Sequence, residues 1–191
     1  MNVEREDGLL VITSAGNSLP ARMLREALET AGRDADVRTV LLEVPGPVFC
    51  AEVETGSEDD SLLTVASGLS VPFVIAVQGA VLGTGLGLVA CARVAVAAQG
   101  TSFGLTEMRE GRFPCYFDIL ARAIGQRRAL ELALTSRVFS APEALQYGLI
   151  HHVAPAFEYD DRALAIARAL AKADRRGVEA AMTFARAVLA E

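Results

Sequence analysis

The sequence predicts an α/β fold with a largely parallel sheet. Short apolar runs of strand length alternate with helical stretches along the chain. The stretch 71–107, VPFVIAVQGAVLGTGLGLVACARVAVAAQGTSFGLTE, adds the second observation. It reads as an apolar strand, a glycine-rich turn, a small-residue helix, a second apolar strand and then FGLTE.

The elements follow in order. Leu9–Thr13 is a short apolar strand, and Asn17, Ser18 and Leu19 form a turn. Pro20 suits the first turn of a helix carrying Met23, Leu24, Ala27, Leu28 and Ala31 on one face. Thr39–Val44 is a second strand, closed by Pro45, Gly46 and Pro47. Residues 48–54 (VFCAEVE) leave the strand end, 54–61 form an acidic, mobile loop, and 62–69 form a short helix. Residues 73–78 are a buried strand, 85–91 begin a helix, and 93–98 are another strand. From Pro114 onward the pattern is mostly helical. Ser140, Ala141, Pro142 and Glu143 spell a capping box, and Gly148 is the helix stop. A brief strand at 149–153 and two helices near 159–173 and 177–190 finish the chain.

The totals narrow the classes. A chain of 191 residues suits one domain with a sizeable core. Hydrophobic residues make up 52%, slightly more than usual, which leans toward extra buried surface such as a subunit interface. A net charge of −6 without a basic run argues against nucleic acid. The longest apolar stretch is broken by Gln78, Gly79, Gly83, Thr84 and Gly85, too often for a membrane span. The opening MNVEREDG is polar and acidic, unlike a secretory signal. Cys50, Cys91 and Cys115 have neither metal nor redox spacing and sit in apolar sequence, so they read as reduced cytosolic thiols. The expected location is cytoplasmic.

The chemistry concentrates between Gly83 and Glu107. The turn Gly83, Thr84, Gly85 presents backbone N–H groups at a helix N-terminus, and the lone acid Glu107 follows about twenty residues later. Amides beside one carboxylate suit a reaction that builds negative charge on a carbonyl oxygen while a proton moves. Other readings are weaker. A dinucleotide turn would need glycine where Leu88 stands and an acid after the next strand. Glu107 could be a surface or helix-capping acid. His151 and His152 sit beside a helix stop and read as structural or exposed. Cys50 reads as a core thiol. No serine sits in a nucleophile turn. The aromatics at 113–117 are as consistent with core as with a binding pocket.

The segments NSLP, VFCAEVE, PFVIAVQGAVLGTGLGLVACARVAVAA, FGLTE and AIGQRRALELALTSRVFSAPEALQYGLIHHVAP, in this order and spacing, resemble the enoyl-CoA hydratase/isomerase (crotonase) superfamily along nearly the whole chain. The resemblance implies a crotonase-type (ClpP/crotonase-like) ββα spiral with C-terminal helices: a core over 1–155 and a short helical segment over 156–191, in one domain. The form is short and lacks the family's usual C-terminal region, which bears on assembly and on part of the pocket wall.

It also implies roles for particular residues. The N–H groups of Val53 and Thr84 would hold a thioester oxygen, with Ala51, Gly83 and Gly85 in contact with the substrate. Losing one such donor typically costs about 2.7–4 kcal/mol of transition-state stabilisation. Glu52 and Thr84 replace glycines usual in those turns, but a side chain does not remove an amide. Glu107 matches the second of the two glutamates that hydratases use. The first falls at Gly87, and a familiar Asp is replaced by Arg93. One carboxylate can abstract a proton beside the carbonyl and return it elsewhere, so double-bond isomerisation is favoured over hydration. Phe113, Tyr116 and Phe117 would line or narrow the acyl pocket.

No metal or organic cofactor is implied; coenzyme A or pantetheine belongs to the substrate, an acyl-CoA or acyl-carrier-protein thioester. A homo-oligomer (trimer or hexamer) is expected, or pairing with a homologous subunit. The alternatives are hydration, dehydration or decarboxylation in a biosynthetic pathway, and a catalytically weak thioester-binding or partner-subunit protein.

Overall fold

Two sheets make the scaffold among the described residues. In the computed structural model, which describes residues 1–14, 20–49 and 58–189, the larger sheet has six strands. In chain order these are β1 (Asn2–Glu6), β2 (Leu9–Thr13), β3 (Thr39–Val44), β5 (Phe73–Val77), β7 (Val94–Ala98) and β10 (His152–Ala154), which also gives their order across the sheet. All neighbours pair in parallel except β1 with β2. A smaller sheet holds β4 (Val48–Phe49), β6 (Ala80–Leu82), β8 (Ser102–Gly104) and β9 (Phe139–Ser140), with β9 antiparallel. The predicted α/β class and largely parallel sheet are present.

Side-chain alternation divides the core into two. Val40, Leu42, Phe73, Ile75, Ala95 and Ala97 face one layer, and Leu41, Val74, Ala76, Val96 and Ala98 face the other. The first face is covered by α1 (Ala21–Arg33), α2 (Glu58–Ser67), α3 (Thr84–Cys91), α4 (Phe117–Ile124), α5 (Gln126–Thr135) and α6 (Ala141–Tyr147). The second is covered by α7 (Tyr159–Lys172), which lays Tyr159, Ala163, Ala167 and Ala171 against it. Four-residue spacing puts these side chains on one stripe, and the three alanines let the helix approach the strands closely. Helix α8 (Arg175–Leu189) follows, burying Met182.

Several elements differ from the sequence reading. Strand β1 was not expected, because NVERE is polar and exposed at every position. It is held as the edge of a hairpin whose two-residue turn is Asp7 (φ 44°) and Gly8 (φ 82°). Asp-Gly is the pair that such a turn prefers, so a signal was present. Strands β6, β8 and β9 have two or three residues each and are too short for a periodicity. Helix α2 starts at Glu58, so the loop reading of 58–61 is corrected. Met23 is exposed rather than on the buried face of α1, where Ala21, Leu24, Leu28 and Ala31 lie. The strand expected at 149–153 forms at His152–Ala154 instead. The turn at 17–19 and residues 50–54, with Cys50, Ala51 and Val53, lie outside the described residues.

The capping box is present in full. The Glu143 N–H donates to Ser140 Oγ, and the Ser140 N–H donates to Glu143 Oε2 at 2.9 Å. Arg137 Nη1 donates to Glu143 Oε1 at 2.9 Å. These bonds, led by the Ser140 N–H, then the Ser140 hydroxyl and Arg137, hold the Glu143 carboxyl at about 2, below its ordinary 4.5. A carboxyl depressed in the folded state adds stability that is full above pH 4.5 and fades as pH falls toward 2. We therefore expect Glu143→Gln to be less stable than wild type near pH 6, with the gap closing toward pH 2, as read by urea unfolding across that range. Ser140→Ala should cost about 1 kcal/mol near neutral pH in the same assay.

Candidate active site

The site is built where two parallel strands end side by side. Strands β6 and β8 pair Leu82 with Gly104. The chain leaves β6 through Gly83 into α3, and leaves β8 through Leu105 and Thr106 into a short 3-10 turn, Glu107–Glu110. Parallel pairing therefore brings the glycine turn and Glu107, separated by more than twenty residues in sequence, to one end of the small sheet. Ligands in open parallel sheets collect at this carboxyl edge.

Gly83 caps α3 with φ 57° and ψ −134°, a conformation that side chains strongly disfavour. Its carbonyl accepts from the N–H groups of Leu86 (2.9 Å) and Gly87 (3.3 Å). Thr84 and Gly85 thus form the first turn at the positive end of the helix dipole. Both are buried, as is every residue of α3 except Ala90. The run of small residues in this helix has a packing reason: the helix is enclosed on nearly every side.

Glu107 is half-buried at the start of its 3-10 turn. The Tyr116 hydroxyl donates to Glu107 Oε2 at 3.0 Å. The turn itself is closed by Gly111 and by the Arg112 N–H, which donates to the Glu107 carbonyl at 2.9 Å. Arg109 donates to the Ser136 carbonyl at 2.6 Å and ties the turn to the end of α5. Tyr116 is fully buried, with its ring in the core beneath α3. A Cβ at Gly87 would stand 2.8 Å from Tyr116 Cβ and 3.1 Å from Leu63 Cδ1. Sequence reasoning named Tyr116 and Gly87 separately and missed this contact; a glycine inside an apolar helix was the available signal.

The other named residues fall as follows. Phe113 is 63% exposed, and its ring lies 4.9 Å from that of the half-buried Phe117. Ala51 and Val53 lie outside the described residues. Arg93 is a structural cation: its guanidinium donates to the carbonyls of Cys91 (3.3 Å) and Ser67 (3.0 Å), at the C-terminal ends of α3 and α2. His151 Nδ1 accepts from the Ala95 N–H at 3.0 Å, which fits the structural reading of that histidine. The Cys91 thiol is pushed up to about 12 by burial, so it is inert. Cys115 is exposed, correcting its apolar reading.

A cleft of about 860 Å³ opens at the C-terminal end of α3, lined by Thr64, Ser67, Arg93, Asp118 and Arg122 among others; neither Glu107 nor Tyr116 lines it. Among the described residues no group of three His, Cys, Asp or Glu could hold a metal, and no helix is long and apolar enough to cross a membrane.

The sequence model described as Enoyl-CoA hydratase/isomerase matches residues 7–190. The chain belongs to this family. A hydrolase of Rhodococcus jostii acting on (7aS)-7a-methyl-1,5-dioxo-2,3,5,6,7,7a-hexahydro-1H-indene-carboxyl-CoA is 31% identical over 196 residues, covering 92% of this chain and 76% of that protein. The mitochondrial methylglutaconyl-CoA hydratase of Mus musculus is 35% identical over 150 residues, covering 69% of this chain and 48% of that protein. A putative enoyl-CoA hydratase/isomerase from Acinetobacter baumannii has a similar structure, with a TM-score of 0.90 at 26% identity, covering 98% of this chain and 91% of that one. The crotonase fold and the family are thereby established.

Gly83 fixes the turn from which α3 starts in this enoyl-CoA hydratase/isomerase family member. Gly83→Ala should cost about 1–3 kcal/mol of stability, since a Cβ strains that backbone conformation. Chemical denaturation measures it.

Proposed function

We propose that this protein is an acyl-thioester enzyme that forms an enolate and shifts a double bond with a single carboxylate. The observation that carries the reading is the Glu107 carboxylate, half-buried, held by Tyr116, and at the same sheet end as the first turn of α3. The thioester oxygen of an acyl-CoA or acyl-carrier-protein substrate would accept from the amides of Thr84 and Val53, with Ala51, Gly83 and Gly85 beside it. Strand β4 supports the role of Val53, because it pairs in parallel with β6 and precedes residue 50. Negative charge developing on that oxygen is favoured by the helix dipole and the two donors.

The proton balance closes on one residue. Glu107 takes a proton from the carbon beside the thioester carbonyl, and the electron pair moves into the enolate. The same carboxyl returns the proton at the far end of the conjugated system, and the carboxylate is restored. Coenzyme A or pantetheine enters only as the substrate's handle. Phe113 and Phe117 would border the acyl group. Self-association belongs to the same proposal: α5 exposes Leu130 and Leu134 one turn apart, and sedimentation velocity would report it.

A second reading, reaction with water, is favoured by the names of the relatives, a hydratase that adds it and a hydrolase that cleaves with it. Product mass separates the two. A panel of acyl-CoA and acyl-pantetheine thioesters incubated in heavy water should show deuterium beside the carbonyl and a product isomeric with the substrate. Glu107→Gln should lower exchange by about 10²–10⁴-fold. A product heavier by one water would favour the second reading. Thioester binding without exchange would indicate a binding or partner-subunit protein.

A further inference from the structure

Tyr116 has two unlike roles written into one side chain. Its ring is fully buried and packs under α3, yet its hydroxyl reaches the half-buried carboxylate of Glu107. A buried phenol needs a partner for its hydroxyl, and here a partner is the acid of the candidate site. The bond occupies Oε2. Among the described residues Oε1 receives no hydrogen bond, so the carboxyl is held by one oxygen and leaves the other for a proton.

The position of the ring depends on what α3 lacks. Gly87 lies one turn into that helix, and its missing Cβ would point at Tyr116, 2.8 Å from Cβ and 3.0 Å from Cγ. The nearest atoms are the base of the tyrosine side chain, which cannot swing aside as a flexible tip could. Tyr116 precedes α4 at its N-cap, and the Leu120 N–H donates to the Tyr116 carbonyl at 3.0 Å. The backbone under the ring is thus tied into a helix and cannot retreat cheaply.

We propose that Tyr116 is the positioning residue for Glu107, and that Gly87 is the vacancy that lets it stand there. The pair acts as a lock: glycine at 87 admits the ring, the ring aims the hydroxyl, and the hydroxyl fixes the rotamer of the carboxyl that moves the proton. This rests on the single-carboxylate reading proposed above and deepens it. A side chain at 87 and the tyrosine at 116 exclude each other, so the site is built for one acid.

The test has a kinetic arm and a packing arm. Tyr116→Phe keeps the ring and removes the hydroxyl. Loss of a hydrogen bond to a charged partner should lower kcat for α-deuterium exchange by about ten- to a hundredfold. KM should stay within about twofold and Tm within about 2 °C. An unchanged kcat overturns the positioning role; a fall in Tm of many degrees, with KM rising in step, reduces the hydroxyl to a structural one and overturns it as well. Gly87→Ala should lower Tm by roughly 2–12 °C, and in a Tyr116→Gly background the same change should cost less than about 2 °C. A Gly87→Ala protein as stable as wild type overturns the lock, and that single variant decides this arm even where Tyr116→Gly does not fold. A wild-type protein that exchanges no thioester sinks the proposed function; a wild type that exchanges and a Tyr116→Phe variant that matches it sink only this inference.

Discussion

Helix α3 is buried on nearly all of its circumference, and the rest of the molecule is arranged around what that burial requires. An enclosed helix must satisfy both of its ends without water. At the C-terminal end Arg93 supplies the donors, bridging the last carbonyls of α3 and α2. At the N-terminal end the Gly83 carbonyl takes the third and fourth amides, which leaves the first turn facing the carboxyl edge of the small sheet. The same constraint bears on the composition of the helix. Seven of the eight residues of α3 are buried, and Gly87 is small where Tyr116 and Leu63 press close. A polar side chain in the middle of this helix would need a partner inside the core.

The small sheet does the positioning that the large sheet cannot. Its strands are two or three residues long and contribute little burial by themselves, but their parallel register aligns the exits of β6 and β8. Register in so short a ladder is weakly specified by the strands. It is fixed by neighbours: Phe103 stacks on Phe139 with ring centroids 5.5 Å apart, Phe139 meets Tyr147, and Arg137 joins Tyr147, Glu131 and Glu143 in one network. The capping box of α6 is part of that network. Helix chemistry at Ser140 thereby helps to hold the strand that sets where Glu107 emerges.

The sequence made the centre of the large sheet legible because its inner strands are apolar on both faces, and continuous runs such as FVIAV admit few other readings. It made the capping box legible because that motif is local. The edge strand β1 was missed since the hydrophobic pattern is silent for a strand exposed at every position, although Asp7 and Gly8 spelled its turn. Strands β6, β8 and β9 escaped because they are defined by partners distant in sequence and not by their own composition. In the site, Glu107 stood out as a lone acid after an apolar run. Its contact with Tyr116, and the dependence of that contact on Gly87, could not be read, because it joins three segments through packing distances that spacing does not encode.

That contact bears on the chemistry. Adding water to a conjugated thioester asks for one group to activate the water and for a proton to be delivered, within a site whose polar groups all need partners. The space beside Glu107 is instead filled by an aromatic ring, whose single hydroxyl is engaged with the carboxylate. Three other acids, Glu54, Glu110 and Asp118, are near in sequence: Glu54 lies outside the described residues, Glu110 is exposed and paired with Arg112, and Asp118 lines the cleft at the other end of α3. The reaction proposed above, in which the proton leaves and returns on one carboxyl, asks only for Glu107 at this edge. On the single-carboxylate reading proposed above, the chemistry of this edge rests on Tyr116 as well as on the acid it holds.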